Sequence, residues 1–375
     1  MHDISSDKGL ATSGTSIANK ESRFAAIDGL RGVACLGVVA LHCYVLAGFY
    51  PTPFFLDRVL SLGYIGVDLF FVLSGFCLAF PILKKGWRDF SWKKYLLNRA
   101  KRIFPPYWVT LILFYLISKI IFAFSISLLS DKSSLLWNIS ASQFLQNILL
   151  LRSNDFILSS WTLPLEWRWY FILPIFTYFS FQYPIIYSFI FSCFISALSA
   201  FFLESPSASP KLLTFMTSMP IYLPTFFAGV WCAKIVVSEH KIYIEEIFVK
   251  YSQWFLLASL IACYLENPKW NVSSSRVISW GPVFFFLIIS VIFNEHFKKV
   301  FEWKPLVHVG TFSYSLYLIH ELPLKIIYAL VGSDKISVDF QWLFYLGIVF
   351  PVLVLLGFIF FKIVEEPLLE WSRKF

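Results

Sequence analysis

The chain has 375 residues, of which 58% are hydrophobic, 20% are aromatic and 14% are charged, and its mean hydropathy is +0.70. Soluble domains carry about 25% charged residues, so this composition excludes a soluble globular enzyme, a disordered chain and a small disulfide-bonded secreted domain. It indicates a helical protein that crosses a membrane several times. The net charge of +8 predicts no nucleic-acid partner, because the basic residues crowd the short segments between apolar stretches, where membrane topology explains them.

Apolar stretches of about 20 residues, the length of a membrane-spanning helix, recur along the chain. They predict an all-α polytopic membrane protein with about ten transmembrane helices. The ten predicted spans are residues 29–49, 62–83, 103–126, 161–180, 184–203, 212–236, 252–266, 277–294, 306–331 and 341–364.

The segments outside the spans are short. Residues 1–22 are polar and lack the apolar core of a signal peptide, so we expect a disordered tail ahead of a single transmembrane domain at residues 23–375. The longest loop, residues 127–160, has room only for a short interfacial helix such as Gln143–Leu151, with Trp137 near the headgroups.

Lys and Arg residues set the predicted orientation. They cluster between the second and third spans, and the side of the membrane that holds this cluster carries about three times as many of them as the opposite side. Because basic residues mark cytoplasmic segments, both termini are predicted to be cytoplasmic, in a multi-pass protein of the inner (plasma) membrane.

The six Cys residues lie inside apolar stretches and form no Cys-x-x-Cys pair. They are therefore expected to pack in the interior, and neither a disulfide nor a metal site is predicted. The nucleotide-binding glycine loops, the hydrolase nucleophile motif and the zinc-protease motif are also absent from the sequence.

The first span places three polar residues near one helix face. Asp28 lies one turn before Arg31, and His42 follows Arg31 by eleven residues, a spacing that returns to within about 20° of the same face after a rise of roughly 16 Å. Because ionisable groups inside a bilayer are costly, this face predicts a functional site. The alternative is an ion pair of Asp28 and Arg31 at the helix end, together with a histidine satisfied inside the core.

Two further groups lie at the ends of other spans. Arg99 and Arg102 are three residues apart on one helix face, a pattern that suits phosphate binding but is equally typical of a positively charged flank. Glu166 and Tyr170 share a face of the fourth span. Glu166 is either a functional carboxylate or an interfacial one paired near Arg168.

Two more polar clusters lie inside spans. Asp68 and Ser74 belong to the second span, where the neighbouring Gly75 is interpreted as a residue for close helix packing rather than for catalysis. Tyr317 and His320 lie on one polar stripe of the ninth span, which is either a structural ladder of hydrogen bonds or a wall that faces substrate.

Taken together, these segments resemble the membrane acyltransferase-3 family, which includes O-acetyltransferases of bacterial surface polysaccharides and of nodulation factors. The resemblance extends over nearly the whole chain, although Thr162 stands where the family usually has Ser. Some members carry a fused periplasmic esterase-like domain, so this chain resembles a stand-alone member. The matching segments are Ile27–His42, Gly66–Phe76, Arg99–Trp108, Trp161–Tyr170, Ser313–His320 and Val364–Pro367.

The resemblance implies about ten helices, an acyl-CoA donor and transfer of the acyl group to a hydroxyl on the far side of the membrane. It implies that His42 is catalytic, with Arg31, Arg99, Arg102 and Glu166 essential around it. Chemistry agrees with this placement, because the phosphates of acyl-CoA need cationic partners and a hydroxyl nucleophile needs a general base, a role that imidazole fits.

The mechanistic hypothesis gives each group a task. The three Arg residues bind the CoA phosphates, and the pantetheine arm lies along the helix face from Arg31 to His42. Glu166 orients or hydrogen-bonds His42 or the acceptor. Tyr170, Tyr317 and His320 are candidates to stabilise the tetrahedral oxyanion. The residues expected to support the pocket are Asp28, Asp68, Ser74, Tyr170, Tyr317 and His320.

The expected partners are acetyl-CoA (or another acyl-CoA) as donor substrate, a surface polysaccharide or lipid-linked sugar as acceptor, and the lipid bilayer; no permanently bound cofactor is expected. The main rival hypothesis is a transporter or flippase of a glycolipid. The sequence has no internal repeat of the kind that marks many transporters, and its Arg residues concentrate on one side, so the transferase is favoured. A structural scaffold would leave the intramembrane His and Glu unexplained.

Overall fold

The structure, a computed structural model, describes residues 11–46, 54–123, 141–150, 157–204, 219–238, 274–331 and 338–374, together with residue 336 and isolated helical residues between 243 and 261. Every regular element within these residues is a helix, which confirms the all-α prediction. A bilayer offers no partners for backbone N–H and C=O groups, so an apolar stretch that crosses it folds as a helix, which satisfies these groups internally.

The N-terminal half of the chain contributes the longest helices. The third of them ends where Gly86 adopts a positive φ of 79°, a conformation that glycine accepts without steric cost. The helices of this half are α1 (Ala11–Leu46), α2 (Phe54–Ser61), α3 (Ile65–Lys85), α4 (Trp92–Ala123), α5 (Ala141–Ile148), α6 (Thr162–Gln182) and α7 (Ile185–Glu204).

The C-terminal half is more segmented. Helix α1 packs against the eleventh helix, and α3 packs against the eighth. Two π-helical turns, Tyr345–Val349 and Phe361–Glu365, join the last three helices. The helices of this half are α8 (Leu223–Val237), α9 (Ser274–Phe293), α10 (Glu295–Phe301), α11 (Lys304–Thr311), α12 (Ser313–Ile319), α13 (Glu321–Val331), α14 (Val338–Phe344), α15 (Phe350–Phe360) and α16 (Glu366–Lys374).

The described residues account for only part of the ten predicted membrane spans. Helices occupy every predicted span except the seventh, residues 252–266, most of which lies outside the described residues. Within the described residues, six helical segments are long and apolar enough to cross a membrane, or seven if one bent pair is a single span. The chain is therefore a multi-pass membrane protein, but ten spans are not confirmed. The six segments are Ala25–Val45, Phe55–Lys85, Trp92–Ile120, Pro220–Val237, Ser313–Val331 and Phe340–Ser372.

The bent pair lies at the predicted eighth span. Here α9 gives way to α10 with a bend of 101°. Asn294 begins α10 as its N-cap, because its side chain accepts hydrogen bonds from the backbone N–H groups of His296 and Phe297. An N-cap of this kind satisfies donors that would otherwise be orphaned at a helix start, so the sequence itself marks where the apolar helix stops and the charged helix turns away.

Two predictions concern the segments between spans. Helix α1 begins at Ala11, so it extends into the segment expected to be a disordered tail, where Ala and Lys residues favour a helix; residues 1–10 lie outside the described residues. A short helix, α5 at Ala141–Ile148, is present where an interfacial helix was expected at Gln143–Leu151. Trp137, its predicted anchor, also lies outside the described residues.

Glycine permits the close crossing of α3 and α8. A Cβ atom at Gly75 would lie 2.3 Å from the carbonyl oxygen of Phe226, and one at Gly229 would lie 2.0 Å from the carbonyl oxygen of Val72. Real Cβ atoms do not approach oxygen so closely, so both positions require glycine. The interpretation of Gly75 as a packing residue agrees with this contact, which is the small-residue crossing that membrane helices favour.

We expect Gly229→Val to destabilise the protein, because the added side chain must separate α8 from α3. Overpacking of this kind costs about 1–3 kcal/mol, and the apparent melting temperature of the purified protein in detergent should fall. Gly347→Val is the matched control, because a Cβ atom there meets nothing within 4 Å. Equal melting temperatures for the two variants would contradict the close crossing.

Candidate active site

A cavity of about 90 Å³ lies between α1, α3, α4, α6 and the start of α12. It is large enough for several water molecules. We call it the arginine cavity, because three guanidinium-bearing side chains from two helices meet there. Its main polar lining residues are Arg31, Arg99, Arg102, Glu166, Ser74, Tyr170 and Tyr317.

The charges of the arginine cavity do not balance. Three Arg side chains face a single lining carboxylate, Glu166, so the lining carries a net positive charge. The Nε atoms of Arg31 and Arg99 are buried without a hydrogen-bond partner among the described residues. Buried charges are normally paired, and a guanidinium group with a donor to spare is suited to binding a phosphate or a carboxylate.

Among the described residues, Asp28 and Arg31 form no ion pair within 4 Å, although their charges are near enough to attract each other. Within the described residues, the ion pairs formed by side chains all use Lys, and they join Lys298 to Glu295, Lys325 to Glu321 and Lys362 to Glu366. Asp28 does not line the arginine cavity; instead its carbonyl oxygen lies against Gly310, where a Cβ atom would come within 1.8 Å. This part of α1 therefore packs tightly against α11 while Arg31 turns into the cavity.

Glu166 is held by two hydroxyl groups. Ser74 Oγ donates to Glu166 Oε1 at 2.8 Å, and Tyr170 OH donates to the same oxygen at 2.7 Å. The shared helix face predicted for Glu166 and Tyr170 is thereby confirmed, and Ser74 of α3 completes the group. The hydrogen bonds of Glu166 in the described residues do not include His42, so its expected contact with that ring is not present.

His42 instead contacts a second histidine. His42 Nδ1 lies 2.7 Å from His320 Nε2, and His320 is fully buried whereas His42 is partly buried. Neither histidine lines the arginine cavity. His42 lies roughly 16 Å further along α1 than Arg31. The helix face that was predicted to join them therefore has two ends: Arg31 lines the arginine cavity, and His42 pairs with His320.

Tyr317 separates these two ends. Its side chain lines the arginine cavity, and its ring centroid lies 6.1 Å from that of His320. The Tyr317 hydroxyl donates to the Ser159 carbonyl and shares a second hydrogen bond, of 2.9 Å, with Thr162 Oγ1. The arginine cavity thus ends at the Tyr317 side chain, and His42 and His320 lie on the other side of it.

The proposed oxyanion donors are already engaged. The Tyr317 hydroxyl donates to the Ser159 carbonyl, and the Tyr170 hydroxyl donates to Glu166. His320 Nε2 faces His42. Since each hydroxyl carries one proton, neither tyrosine donates to a tetrahedral intermediate while these bonds persist. Asp68, the remaining pocket residue, is fully buried and does not line the arginine cavity.

Sequence reasoning missed two buried carboxylates. Glu321 forms an ion pair of 2.6 Å with Lys325, and both side chains are 3% exposed; Glu321 also accepts hydrogen bonds from the N–H and hydroxyl groups of Ser159. Glu365 accepts a hydrogen bond from Ser315 Oγ. The i, i+4 spacing of Glu321 and Lys325 inside an apolar helix is a signal that reveals such a pair from sequence.

Comparison with known proteins identifies the family. Residues 24–362 match the acyltransferase domain of the acyltransferase-3 family. The chain belongs to this family. The match covers almost all of the described helices, including the arginine cavity and the histidine pair, and it confirms the resemblance read from the motifs.

The similar curated proteins are distant. The O-acetyltransferase OatA of Staphylococcus aureus is 24% identical over 317 residues, which are 78% of this chain and 49% of OatA. Acetyltransferase ORF330 of Acidianus two-tailed virus is 26% identical over 305 residues, 78% of this chain and 81% of that protein. Protein 2 in the picA locus of Rhizobium radiobacter is 37% identical over 92 residues, 24% of this chain and 44% of that protein.

The chain spans about half the length of OatA. No solved structure matches it.

Proposed function

We propose that the protein is an O-acyltransferase that takes an acyl group from acyl-CoA and transfers it to a hydroxyl of a surface polysaccharide or lipid-linked sugar. Membership of the acyltransferase-3 family supports the reaction type. The name of OatA supports acetyl as the acyl group and oxygen as its acceptor. The observation that supports acyl-CoA as the donor substrate is that Arg31, Arg99 and Arg102 converge on one cavity.

The arginine cavity suits the phosphate-bearing end of the donor. Its three guanidinium groups outnumber its one carboxylate, and Arg forms bidentate, charge-assisted hydrogen bonds with phosphate. Arg99 and Arg102 lie in the Lys- and Arg-rich segment that is predicted to be cytoplasmic. Acyl-CoA is made in the cytoplasm, so the donor enters from this side of the inner membrane, with both termini of the chain on the same side.

The chemistry takes place at His42. The acceptor oxygen attacks the thioester carbonyl as His42 removes the hydroxyl proton, and the tetrahedral intermediate collapses when its carbon–sulfur bond breaks. His42 then returns the proton to the CoA thiolate. An imidazole is suited to both steps. For the thioester to reach His42, the Tyr317 side chain, which separates the arginine cavity from the histidine pair, has to move aside; the acceptor approaches from the opposite side of the membrane.

Glu166 serves the donor side in this proposal. Ser74 and Tyr170 fix its carboxylate among the three Arg side chains of the cavity lining. Its charge offsets part of theirs and limits how far the guanidinium groups move when the cavity is empty. Glu166 therefore organises the binding cavity and does not orient the base.

We expect Arg102→Gln to weaken acetyl-CoA binding about 10- to 100-fold, since a hydrogen bond to a charged group contributes about 1.5–3 kcal/mol. Calorimetry of acetyl-CoA binding to the purified protein in detergent measures this change in affinity. Lys101→Gln is the matched control, because Lys101 adjoins Arg102 on α4 but does not line the arginine cavity. Equal weakening by both substitutions would contradict a specific phosphate site.

Radiolabelled acetyl-CoA tests the reaction itself. Label that enters a polysaccharide or a lipid-linked sugar in membranes containing the protein supports the transferase. Movement of a glycolipid across the membrane, without incorporation of label, would instead indicate the flippase.

A further inference from the structure

His42 and His320 form a hydrogen-bonded pair between α1 and the junction of α12 and α13. His320 is the C-cap residue of α12. The two ring nitrogens are 2.7 Å apart, while the ring centroids are 5.0 Å apart and the ring planes differ by 9°. Rings stacked face to face cannot bring two nitrogens so close. The imidazoles therefore meet edge to edge in nearly one plane, where the N–H bond and the lone pair of imidazole point.

The backbone fixes the proton on His320. His320 Nδ1 lies 3.1 Å from the carbonyl oxygen of Leu316 and 2.9 Å from that of Tyr317. A carbonyl oxygen only accepts hydrogen bonds, so Nδ1 of His320 carries the proton. In the neutral ring, Nε2 of His320 is then an acceptor.

The position of the proton on His42 follows from the position of the proton on His320. His320 Nε2 is an acceptor that faces His42 Nδ1, so Nδ1 of His42 is the donor. In a neutral ring the other nitrogen, Nε2 of His42, then has a free lone pair. Two backbone carbonyls thus determine, through two imidazoles in series, which nitrogen of His42 is able to accept a proton.

We propose that His320 is a positioning residue that holds His42 in the tautomer with Nδ1 protonated, so that Nε2 of His42 is the general base. This inference rests on the proposed function, in which His42 deprotonates the acceptor hydroxyl. As the proton arrives on Nε2, the positive charge of the imidazolium is shared across its Nδ1–H hydrogen bond to His320 Nε2. The proton on Nε2 then passes to the CoA thiolate when the carbon–sulfur bond breaks.

The charged groups beside the His42–His320 pair add no net charge to its surroundings. Glu321 and Lys325 form a buried ion pair, so their charges offset each other next to the two rings. Glu321 also accepts two hydrogen bonds from Ser159, and the Tyr317 hydroxyl donates to the Ser159 carbonyl. These contacts join the α12–α13 junction, where His320 lies, to the segment just before α6.

The tautomer is tested directly by nitrogen NMR. The full chain is labelled with ¹⁵N-histidine and studied in lipid vesicles, and the His42 signals are assigned as those that His42→Gln removes. We expect His42 to show a protonated Nδ1 and an unprotonated Nε2, and to lose this uniform state in His320→Ala. A protonated Nε2 on His42 in the unmodified protein overturns the proposal. This measurement does not depend on acyl transfer, so it stands even if the proposed reaction fails.

Two amide variants test the same contact by kinetics. Gln at position 320 brings an amide oxygen to the place of Nε2, where it accepts the His42 Nδ1–H bond, whereas the shorter Asn does not reach His42. We expect His320→Asn to lower kcat about 100-fold, near the lower bound for a general base, with KM for acetyl-CoA unchanged, because His320 does not line the arginine cavity. His320→Gln should stay within about tenfold of the unmodified protein.

The comparison of the two amides separates positioning from general structural damage. Both variants remove the same ring and place a similar polar group at the same C-cap position, so a structural role affects them alike. Equal losses of kcat in His320→Gln and His320→Asn, with equal melting temperatures, overturn the proposal. A loss that appears mainly in KM overturns it as well.

Discussion

Replacing His42 with Ala is expected to lower the rate of acetyl transfer by about 10² to 10⁴, the usual contribution of a general base. The physical reason is that a hydroxyl is a poor nucleophile at neutral pH until a base removes its proton as it attacks. Acetyl-CoA should still bind, because the arginine cavity does not include His42. Transfer of labelled acetyl and binding of acetyl-CoA are measured on the same purified preparation.

The matched control for His42 is His296→Gln. His296 is exposed on α10, and its hydrogen bond to Asn294 uses only its backbone N–H, so this substitution should leave transfer unchanged. Transfer at the original rate in His42→Ala would remove His42 from the mechanism. Loss of acetyl-CoA binding in His42→Ala would instead place His42 in the donor site.

Replacing Lys325 with Met is expected to destabilise the protein by about 3–5 kcal/mol, because it leaves the buried charge of Glu321 without its partner. The two side chains are 2.6 Å apart and each is 3% exposed. The apparent melting temperature in detergent should fall by more than about 5 °C, since 1 kcal/mol corresponds to a few degrees in a chain of this size. Lys325→Met/Glu321→Gln should regain part of the loss.

The same i, i+4 spacing occurs in the Lys362–Glu366 pair, whose side chains are 48% and 36% exposed. Exposed pairs contribute about 0–1 kcal/mol, so Lys362→Met should change the melting temperature little. If both Lys variants melt alike, burial is not what makes the Glu321–Lys325 pair important. The junction that carries His320 would then owe its rigidity to other contacts.

Several local features followed from sequence alone. The helical period placed Glu166 and Tyr170 on one face, and the structure joins them by a hydrogen bond. The spacing of Arg99 and Arg102 directed both toward one cavity. These predictions succeeded because residues three or four apart on a helix are neighbours whatever the helix packs against.

The partner of His42 was not predictable in the same way. The prediction let Glu166, a carboxylate on another span, contact either His42 or the acceptor, but Ser74 and Tyr170 hold this carboxylate. His320 is 278 residues from His42 in the chain. The choice between the two depends on how α1, α6 and α12 pack, and neither the spacing within a helix nor residue type contains that information.

Composition and the length of the apolar stretches determined that this chain enters a membrane as helices, because a continuous apolar stretch of about 20 residues satisfies its own backbone in lipid as a helix. Patterns within single helices determined which polar groups share a face. The tertiary structure alone decided that three Arg residues line one cavity and that the histidines pair behind Tyr317. Each of these depends on contacts between helices, where small differences in packing choose among partners that are chemically alike.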